Sequence, residues 1–279
     1  MKNLLLLLSL TLLTCQLASA QTNKKRKLIW SDEFNYTGLP DSTKWGYENG
    51  FIRNNESEYY TKARKENAWV ANGLLTITGR KEPYLNQAYK PRSTNWQTKD
   101  SLASYTSAAL ITLNKKHFTY GRIEVRAKIP KGLGVWPAVW MLGVDRGLVR
   151  WPYCGEIDIM EFVGHDSSHI HGTIHYADTT AKRQHASSGN KIETTQPYNG
   201  FHLYAAEWTS KGIDIYFDDS LFHHFDINQA TYKGDNAFRK PFYLLLNLAL
   251  GGSWGGPIND AILPQQYLID YVRVYAPTR

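Results

Sequence analysis

Three acidic residues within six positions give the strongest chemical signal in the chain. Glu156, Asp158 and Glu161 are separated only by apolar residues. That composition predicts a β-strand within a sheet, the alternatives being an acidic surface strand or a metal-binding edge. Carboxylates grouped on one strand suit acid–base and nucleophilic chemistry, for which glycoside hydrolysis by two carboxylates is a well-understood example. We therefore treat this segment as a candidate catalytic strand.

The spacing of the three acids requires an irregular strand. In a regular strand Glu156 and Asp158 share one face, whereas Glu161 points to the opposite face. A carboxylate driven into the core without a partner is very costly. One extra residue, a β-bulge at Ile159 and Met160, would return Glu161 to the face of the other two acids. The sequence therefore predicts a bulged strand.

Three carboxylates on one face fit a retaining glycoside hydrolase. One attacks the anomeric carbon, and another, about 5–5.5 Å away, protonates the leaving oxygen and later activates water. The central Asp158 can share a hydrogen bond with a neighbouring carboxyl and help the acid to keep its proton at neutral pH.

Period-two hydrophobic patterns dominate the rest of the chain and predict the strands that must position these acids. In Tyr120–Pro130, four apolar residues alternate with four charged ones. Similar strands are predicted at Leu74–Arg80, Ile170–Tyr176, Phe201–Trp208, Ile213–Phe217 and Tyr267–Tyr275. Phe242–Leu250 is apolar except for Asn247 and predicts a central strand. Lys81–Ser104 has no clear periodicity and predicts a loop. Many short strands separated by turn residues indicate an all-β fold, two antiparallel sheets packed as a β-sandwich or jelly roll.

Residues 1–20 have the organisation of a secretory signal peptide. Lys2 precedes the apolar run Leu4–Leu13, and Ala18–Ala20 supplies the small residues of a cleavage site. The run is about half of the roughly 20 residues that cross a bilayer, so we predict a secreted or periplasmic protein with no membrane span. Lipid attachment at Cys15 is the alternative, which Thr14 disfavours because it is large for that position.

The remaining chain suits one domain, with residues 21–27 as a basic linker and residues 28–279 as the catalytic domain. The run Lys24–Lys27 supplies much of the formal net charge of +7. The body is close to neutral, which fits an uncharged polysaccharide and gives no reason to expect nucleic acid as a partner. Cys154 is the only cysteine after the leader, so no internal disulfide can form. We expect a monomer.

Aromatic residues are abundant, with nine Trp, eighteen Tyr and ten Phe making up 13% of the chain. Large aromatic side chains fill protein cores, and they also stack against the C–H faces of sugars. The composition is therefore compatible with a carbohydrate-binding cleft.

The segment Glu156–Glu161, read as Glu-Ile-Asp-Ile-Met-Glu, resembles the signature of glycoside hydrolase family 16 in its bulged, laminarinase-like form. Further segments resemble the family in the same order, namely Arg53–Glu56, Arg64–Asn67, Gly134–Met141, His171–Tyr176, Phe201–Trp208 and Gly251–Trp254. The resemblance extends from about Leu28 to Tyr275. It implies a concanavalin-like jelly roll with a concave catalytic cleft for β-glucan.

The resemblance also implies roles for individual residues. Glu156 would be the nucleophile, Asp158 its assistant and Glu161 the acid/base. Substrate contacts would come from Trp136, Trp140, Trp254, His175, Asn55, Glu56 and Arg64. Each tryptophan has core packing as its alternative role, and His175 has a hydrogen bond within the sheet.

Family members often hold a structural calcium ion on the convex side of the sandwich. By position, Glu33, the carbonyl of Gly73 and Asp270 would bind it, and hard oxygen ligands suit that ion. Ordinary polar residues at strand ends are the alternative. We predict no cofactor for catalysis, because the spacing of four clustered histidines, His165, His169, His171 and His185, matches no common zinc-binding motif.

Substrate preference depends on one departure from the family pattern. Many laminarinases have Arg where this chain has Ala109, within Ser107–Leu110. A weaker or different subsite follows if that Arg contacts sugar. We expect an endo-acting β-1,3-glucanase of laminarin-type glucan. The alternatives are a mixed-linkage β-1,3-1,4-glucanase, an agar-type galactanase or, in another class, a non-catalytic β-glucan-binding lectin, which would not need the acid triplet.

Overall fold

The computed structural model describes residues 26–178 and 185–277. The predicted signal peptide, Cys15 and the first part of the basic linker lie outside these ranges. The last two linker residues are attached to the domain. Arg26 forms an ion pair with Glu207, and the carbonyl of Lys27 accepts a 2.8 Å hydrogen bond from the backbone of Ala276.

Short strands joined by turns make up most of the described chain. The strands are β1 Leu28–Asp32, β2 Gly46–Tyr47, β3 Glu58–Tyr60, β4 Ala68–Ala71, β5 Leu74–Leu85, β6 Leu102–Ser107, β7 Ala109–Ile111, β8 Gly121–Lys128, β9 Val135–Gly143, β10 Glu156–Glu161, β11 His169–Ala177, β12 His185–Glu193, β13 His202–Trp208, β14 Gly212–Phe217, β15 Ser220–Asp226, β16 Thr231–Tyr232, β17 Asp235–Asn236, β18 Phe242–Leu250 and β19 Gln265–Tyr275. The α-helices are α1 Arg146–Val149 and α2 Gly252–Gly255, and 3₁₀-helices occur at Ile227–Ala230, Ala237–Arg239 and Asp260–Ile262. Across the described ranges, every helix is too short to cross a membrane.

Two large sheets pack face to face. One has the central order β15-β14-β13-β8-β19-β5-β6-β3, with β1 added beside β19 and β4 beside β5. The other has the order β12-β11-β10-β9-β18-β7-β2. Neighbouring strands of the two sheets are antiparallel except for β3 and β6, which are parallel. The predicted two-sheet antiparallel sandwich is confirmed.

The core lies between the sheets and follows from the alternation of the strands. On β8, Ile123, Val125 and Ala127 are fully buried, while the charged residues between them are partly exposed. The predicted central strand, β18, lies between β9 and β7 and is buried along its whole length. Its buried residues alternate between the core and the opposite surface of the sheet, because Leu244 and Leu246 join the core whereas Leu245 does not.

The predicted loop Lys81–Ser104 is wrong in part. β5 continues to Leu85, β6 begins at Leu102, and the two strands pair with each other. Their register shifts between Lys81 and Tyr84, a stretch that includes Pro83. Because proline cannot donate to a ladder and a bulge interrupts the alternation, the strand pattern is obscured there.

Candidate active site

Strand β10 contains the predicted bulge. Against β9, Asp158 lies opposite Trp140 and Met160 lies opposite Val139, so Ile159 and Met160 together face one residue. The register against β11 shifts within the same stretch of β10. The bulge predicted at this dipeptide is therefore confirmed.

The bulge directs all three carboxylates to the outer face of the seven-stranded sheet. Glu156, Asp158 and Glu161 line a cavity of about 500 Å³ on that face. Ile157 and Met160 point the other way and are fully buried in the core. With a regular strand Glu161 would enter this apolar core, where an unpartnered carboxylate is strongly unfavourable.

Asp158 is almost completely buried between its two acidic neighbours, with 2% of its surface exposed. Burial, the negative charge of Glu156 and a side-chain hydrogen bond with Glu156 raise the pKa of Asp158 well above its usual range. Asp158 therefore keeps its proton and donates the hydrogen bond. Glu156 accepts this bond. An acceptor carboxylate is the form that a nucleophile requires.

Glu161 is held in the neutral form. Burial of its carboxyl group raises the pKa of Glu161 well above its usual range, and the negative charge of Glu156 adds to this effect. Trp136 Nε1 donates a 3.0 Å hydrogen bond to Glu161 Oε1 and lowers this pKa in part. A carboxylic acid that keeps its proton at neutral pH can act as a general acid.

His175 and Trp151 contact the other two acids. His175 lies opposite Glu156 on β11, and its Nε2 is 3.3 Å from Asp158 Oδ2. Trp151 Nε1 donates a 2.8 Å hydrogen bond to Glu156 Oε2. His185 lies behind this pair, with Nε2 2.9 Å from His175 Nδ1 and its ring 4.5 Å from that of Trp151. The position of Glu156 at this end of the cleft is thus fixed by side chains from three segments.

A chain of hydrogen bonds runs along the floor of the cavity. Trp140 Nε1 donates to Asn247 Oδ1 at 2.7 Å, and Asn247 Nδ2 donates to the hydroxyl of Tyr60 at 3.0 Å. Tyr60 in turn donates to Glu56 Oε2 at 3.0 Å. Asn54 completes the chain with a 3.1 Å bond from its Nδ2 to Glu56 Oε1. Trp140 and Glu56 are therefore oriented by polar contacts as well as by packing.

Most of the predicted substrate contacts meet in this cavity. Trp136, Trp140 and Trp254 line it together with Glu56 and His175. The rings of Trp136 and Trp254 meet edge to face with centroids 5.4 Å apart. This places the tryptophans on the cleft side of the sheet rather than in the inter-sheet core.

Asn55 and Arg64 lie outside the cavity lining. Asn55 is exposed, and its neighbour Asn54 is the residue that faces the cavity. Arg64 forms two hydrogen bonds with the carboxylate of Glu82, at 2.6 and 3.2 Å, and a third with Asn67. These bonds satisfy Arg64 within the protein, away from the cavity.

Several lining residues were missed by the sequence reasoning, namely Arg53, Asn54, Arg146, Trp151, Thr173 and Asn247. A signal existed for Asn247, since it is the one polar residue in the apolar strand β18. Arg53 follows from a contact that only the fold creates, because its guanidinium lies 4.8 Å from the ring centroid of Trp140.

Of the predicted calcium ligands, Glu33 directly follows β1, Asp270 lies on β19 and Gly73 lies in the turn between β4 and β5. Glu33 accepts two hydrogen bonds from Arg273, at 3.0 and 2.8 Å, and Asp270 pairs with Arg126. The carbonyl of Gly73 and these carboxylates are hard oxygen donors of the kind that calcium prefers. They suit such an ion only if the two arginines release their carboxylates, and the calcium site stays a prediction.

Comparison with known proteins identifies the family of this chain. The family model "Glycosyl hydrolases family 16" matches residues 55–273. The beta-glucanase of Rhodothermus marinus is 40% identical over 291 residues, which cover 99% of this chain and 94% of that protein.

Solved structures extend the similarity to three dimensions. The laminarinase from Rhodothermus marinus superposes with a TM-score of 0.79 and 40% identity, covering 91% of this chain and 98% of that one. A second structure, described with endo-acting O-glycanases of the human gut microbiota that initiate mucin breakdown, gives a TM-score of 0.83 with 37% identity, covering 90% and 91%. The chain belongs to glycosyl hydrolase family 16 and is a glycoside hydrolase.

Proposed function

We propose that this protein is a secreted, retaining endo-β-1,3-glucanase that cuts laminarin-type β-glucan. The observation that carries the proposal is the difference in protonation between two carboxyl groups on β10. Glu161 is held neutral by burial and by the negative charge of Glu156, whereas Glu156 accepts a hydrogen bond from the protonated Asp158. Two carboxyl groups with opposite protonation on one face match the acid and the nucleophile of a retaining glycosidase.

In the first step, the Glu156 carboxylate attacks the anomeric carbon and forms a glycosyl–enzyme ester. The bond from that carbon to the glycosidic oxygen breaks, and Glu161 donates its proton to this oxygen. In the second step, Glu161, now ionised, removes a proton from water while the water oxygen attacks the same carbon. The ester bond to Glu156 breaks, so the product keeps the β configuration.

The aromatic wall supports a polysaccharide substrate. Trp136, Trp140 and Trp254 offer ring faces and edges to the C–H surfaces of successive sugars. Because the cavity is open and lies on the outer face of a sheet, an internal segment of a long chain can enter it, which favours endo action. The β-1,3 preference rests on the laminarinase-like motifs and on the relatives named above.

A second candidate, an endo-acting O-glycanase of mucin-type glycans, is favoured by the TM-score of 0.83.

Ala109 bears on the substrate preference of the cleft. Asn247, which lines the cavity, is its partner on β18, whereas Ala108 and Leu110 belong to the core. An Arg at position 109 would therefore point towards the cleft side, and its absence removes one cation from that surface.

A substrate panel tests the proposal. Purified residues 21–279 should release reducing ends from laminarin faster than from lichenan, agarose, carrageenan or mucin glycans. Faster release from lichenan would identify a mixed-linkage glucanase, and faster release from mucin glycans would favour the second candidate. Binding to laminarin without any release would indicate a lectin.

A further inference from the structure

A second cavity, of about 540 Å³, lies across strand β11 from the active site and has no part in the mechanism above. Its volume is similar to that of the catalytic cavity, at about 500 Å³. Its walls include three tyrosines, Tyr153, Tyr176 and Tyr232, together with Lys233 and Asp235. Aromatic surfaces with a few polar groups are typical of ligand sites.

The three tyrosines are held in place before any ligand binds. The rings of Tyr153 and Tyr232 meet edge to face with centroids 5.2 Å apart, and their side chains share a hydrogen bond. The ring of Tyr176 packs 5.1 Å from the buried ring of Phe225. All three tyrosines remain partly exposed. A ligand that stacks on fixed rings loses less affinity to ordering of the protein.

Charge in this cavity is balanced. Lys233 Nζ lies 5.2 Å from the ring centroid of Tyr232, and Asp235 forms an ion pair with Lys240. An uncharged ligand with many hydroxyl groups suits this surface, because hydroxyls can accept from the ammonium group and donate to the carboxylate. A strongly anionic ligand would meet Asp235.

The second cavity and the active site share two wall segments and lie on opposite sides of strand β11, because adjacent strand residues point to opposite faces of the sheet. In the loop before β10, Trp151 lines the catalytic cavity and Tyr153 lines the second one. On β11, the adjacent residues His175 and Tyr176 divide in the same way. The same loop and strand therefore form one wall of each cavity.

We propose that the second cavity, lined by Tyr153, Tyr176 and Tyr232, is a non-catalytic binding site for β-glucan, the polymer that the active site cleaves. The inference rests on the proposed function, since it assigns the same ligand class to a second site. A polymer held at two sites binds more tightly than one held at either, because the second contact is intramolecular. A short oligosaccharide that fills only the cleft gains nothing from the second site.

Affinity electrophoresis in gels containing laminarin tests the proposal. The full mature chain carries Glu156→Ala to prevent digestion, and Tyr232→Ala is added to it. Loss of one stacking ring should weaken the laminarin affinity about three- to tenfold. Tyr89→Ala is the matched control, because Tyr89 is exposed and belongs to neither cavity.

In the active protein, Tyr232→Ala should raise KM on laminarin several-fold and leave the hydrolysis of laminaritetraose unchanged. Lys233→Glu provides a second, exposed substitution in case Tyr232→Ala melts at a markedly lower temperature. Parent-like affinity in the folded variants would overturn the inference while the proposed function stands. A parent protein that neither cleaves nor binds laminarin would overturn both.

Discussion

The hydrogen bond from Trp136 to Glu161 gives the account a quantitative test. Trp136→Phe removes the 3.0 Å donor and keeps an aromatic ring beside Trp254. The donor stabilises the ionised form of Glu161 more than the neutral form, since it lowers the pKa of that carboxyl. Its loss should therefore raise the pKa of Glu161 further. The alkaline limb of the kcat/KM profile, where the acid loses its proton, should move to higher pH.

The size of the shift follows from hydrogen-bond energies. A bond to an ionised group contributes about 1.5–3 kcal/mol and a neutral one about 0.5–1.5 kcal/mol. The difference, about 1–1.5 kcal/mol, corresponds to a move of about one pH unit. Trp140→Phe is the matched control on the same strand, because its Nε1 donates to Asn247 and not to a carboxyl group.

The assay is the pH profile of kcat/KM on a laminari-oligosaccharide, whose leaving sugar needs protonation. An activated aryl glycoside, whose leaving group needs no proton, should show no such displacement of the alkaline limb. An unmoved or lowered limb in Trp136→Phe, or an equal shift in Trp140→Phe, would refute the assignment of Glu161 as the acid.

Three further predictions address the roles of the carboxylates, the bulge and the calcium ion. Glu156→Ala should abolish turnover, and added azide should then give an α-glycosyl azide. Glu161→Ala should give a β-glycosyl azide, and only from substrates with an activated leaving group. If the two product anomers are exchanged, the roles of the two glutamates are exchanged. Deletion of Met160 should regularise β10, keep Glu161 on the cleft face and lower stability by about 2–5 kcal/mol for the lost core side chain, giving a cooperative melt in circular dichroism at a lower temperature. Deletion of Ile157, which lies in the regular part of the strand, reverses Glu156 relative to its neighbours and should unfold the protein; an unfolded Met160 deletion would count against the bulge argument. Millimolar calcium should raise the melting temperature relative to chelator if Glu33 and Asp270 bind an ion, and Asp270→Asn should reduce the rise; equal melting temperatures would remove calcium from the account.

The fold class and the bulged strand β10 could be predicted because each follows from a local rule. Alternation identified the main strands, and the cost of a carboxylate in the core required a bulge at Ile159 and Met160. The sheet order and the pairing of β3 with β6 involve residues distant in sequence, and no local pattern specifies them.

The residues that line the cavity were harder to predict, for physical reasons that differ from one residue to the next. Asn54 and Asn55 both have positive φ angles, 55° and 52°, so the alternation rule does not decide which of them faces the cleft. Arg64 is paired with Glu82, which lies on the extension of β5. The bulge in that extension obscures the strand pattern of the sequence, so the pairing could not be predicted. Trp151 reaches Glu156 from a loop, where side-chain direction depends on tertiary packing.

The stereochemistry of the first product tests the central claim, that Glu156 and Glu161 cleave the glycosidic bond by double displacement. Proton NMR of a laminari-oligosaccharide digest, recorded within the first minutes and before mutarotation, measures the anomeric form of the new reducing end. The account predicts that the β-anomer forms first and that the α-anomer grows in later. Initial formation of the α-anomer would show single displacement by water and would contradict the assignment of Glu156 as the nucleophile.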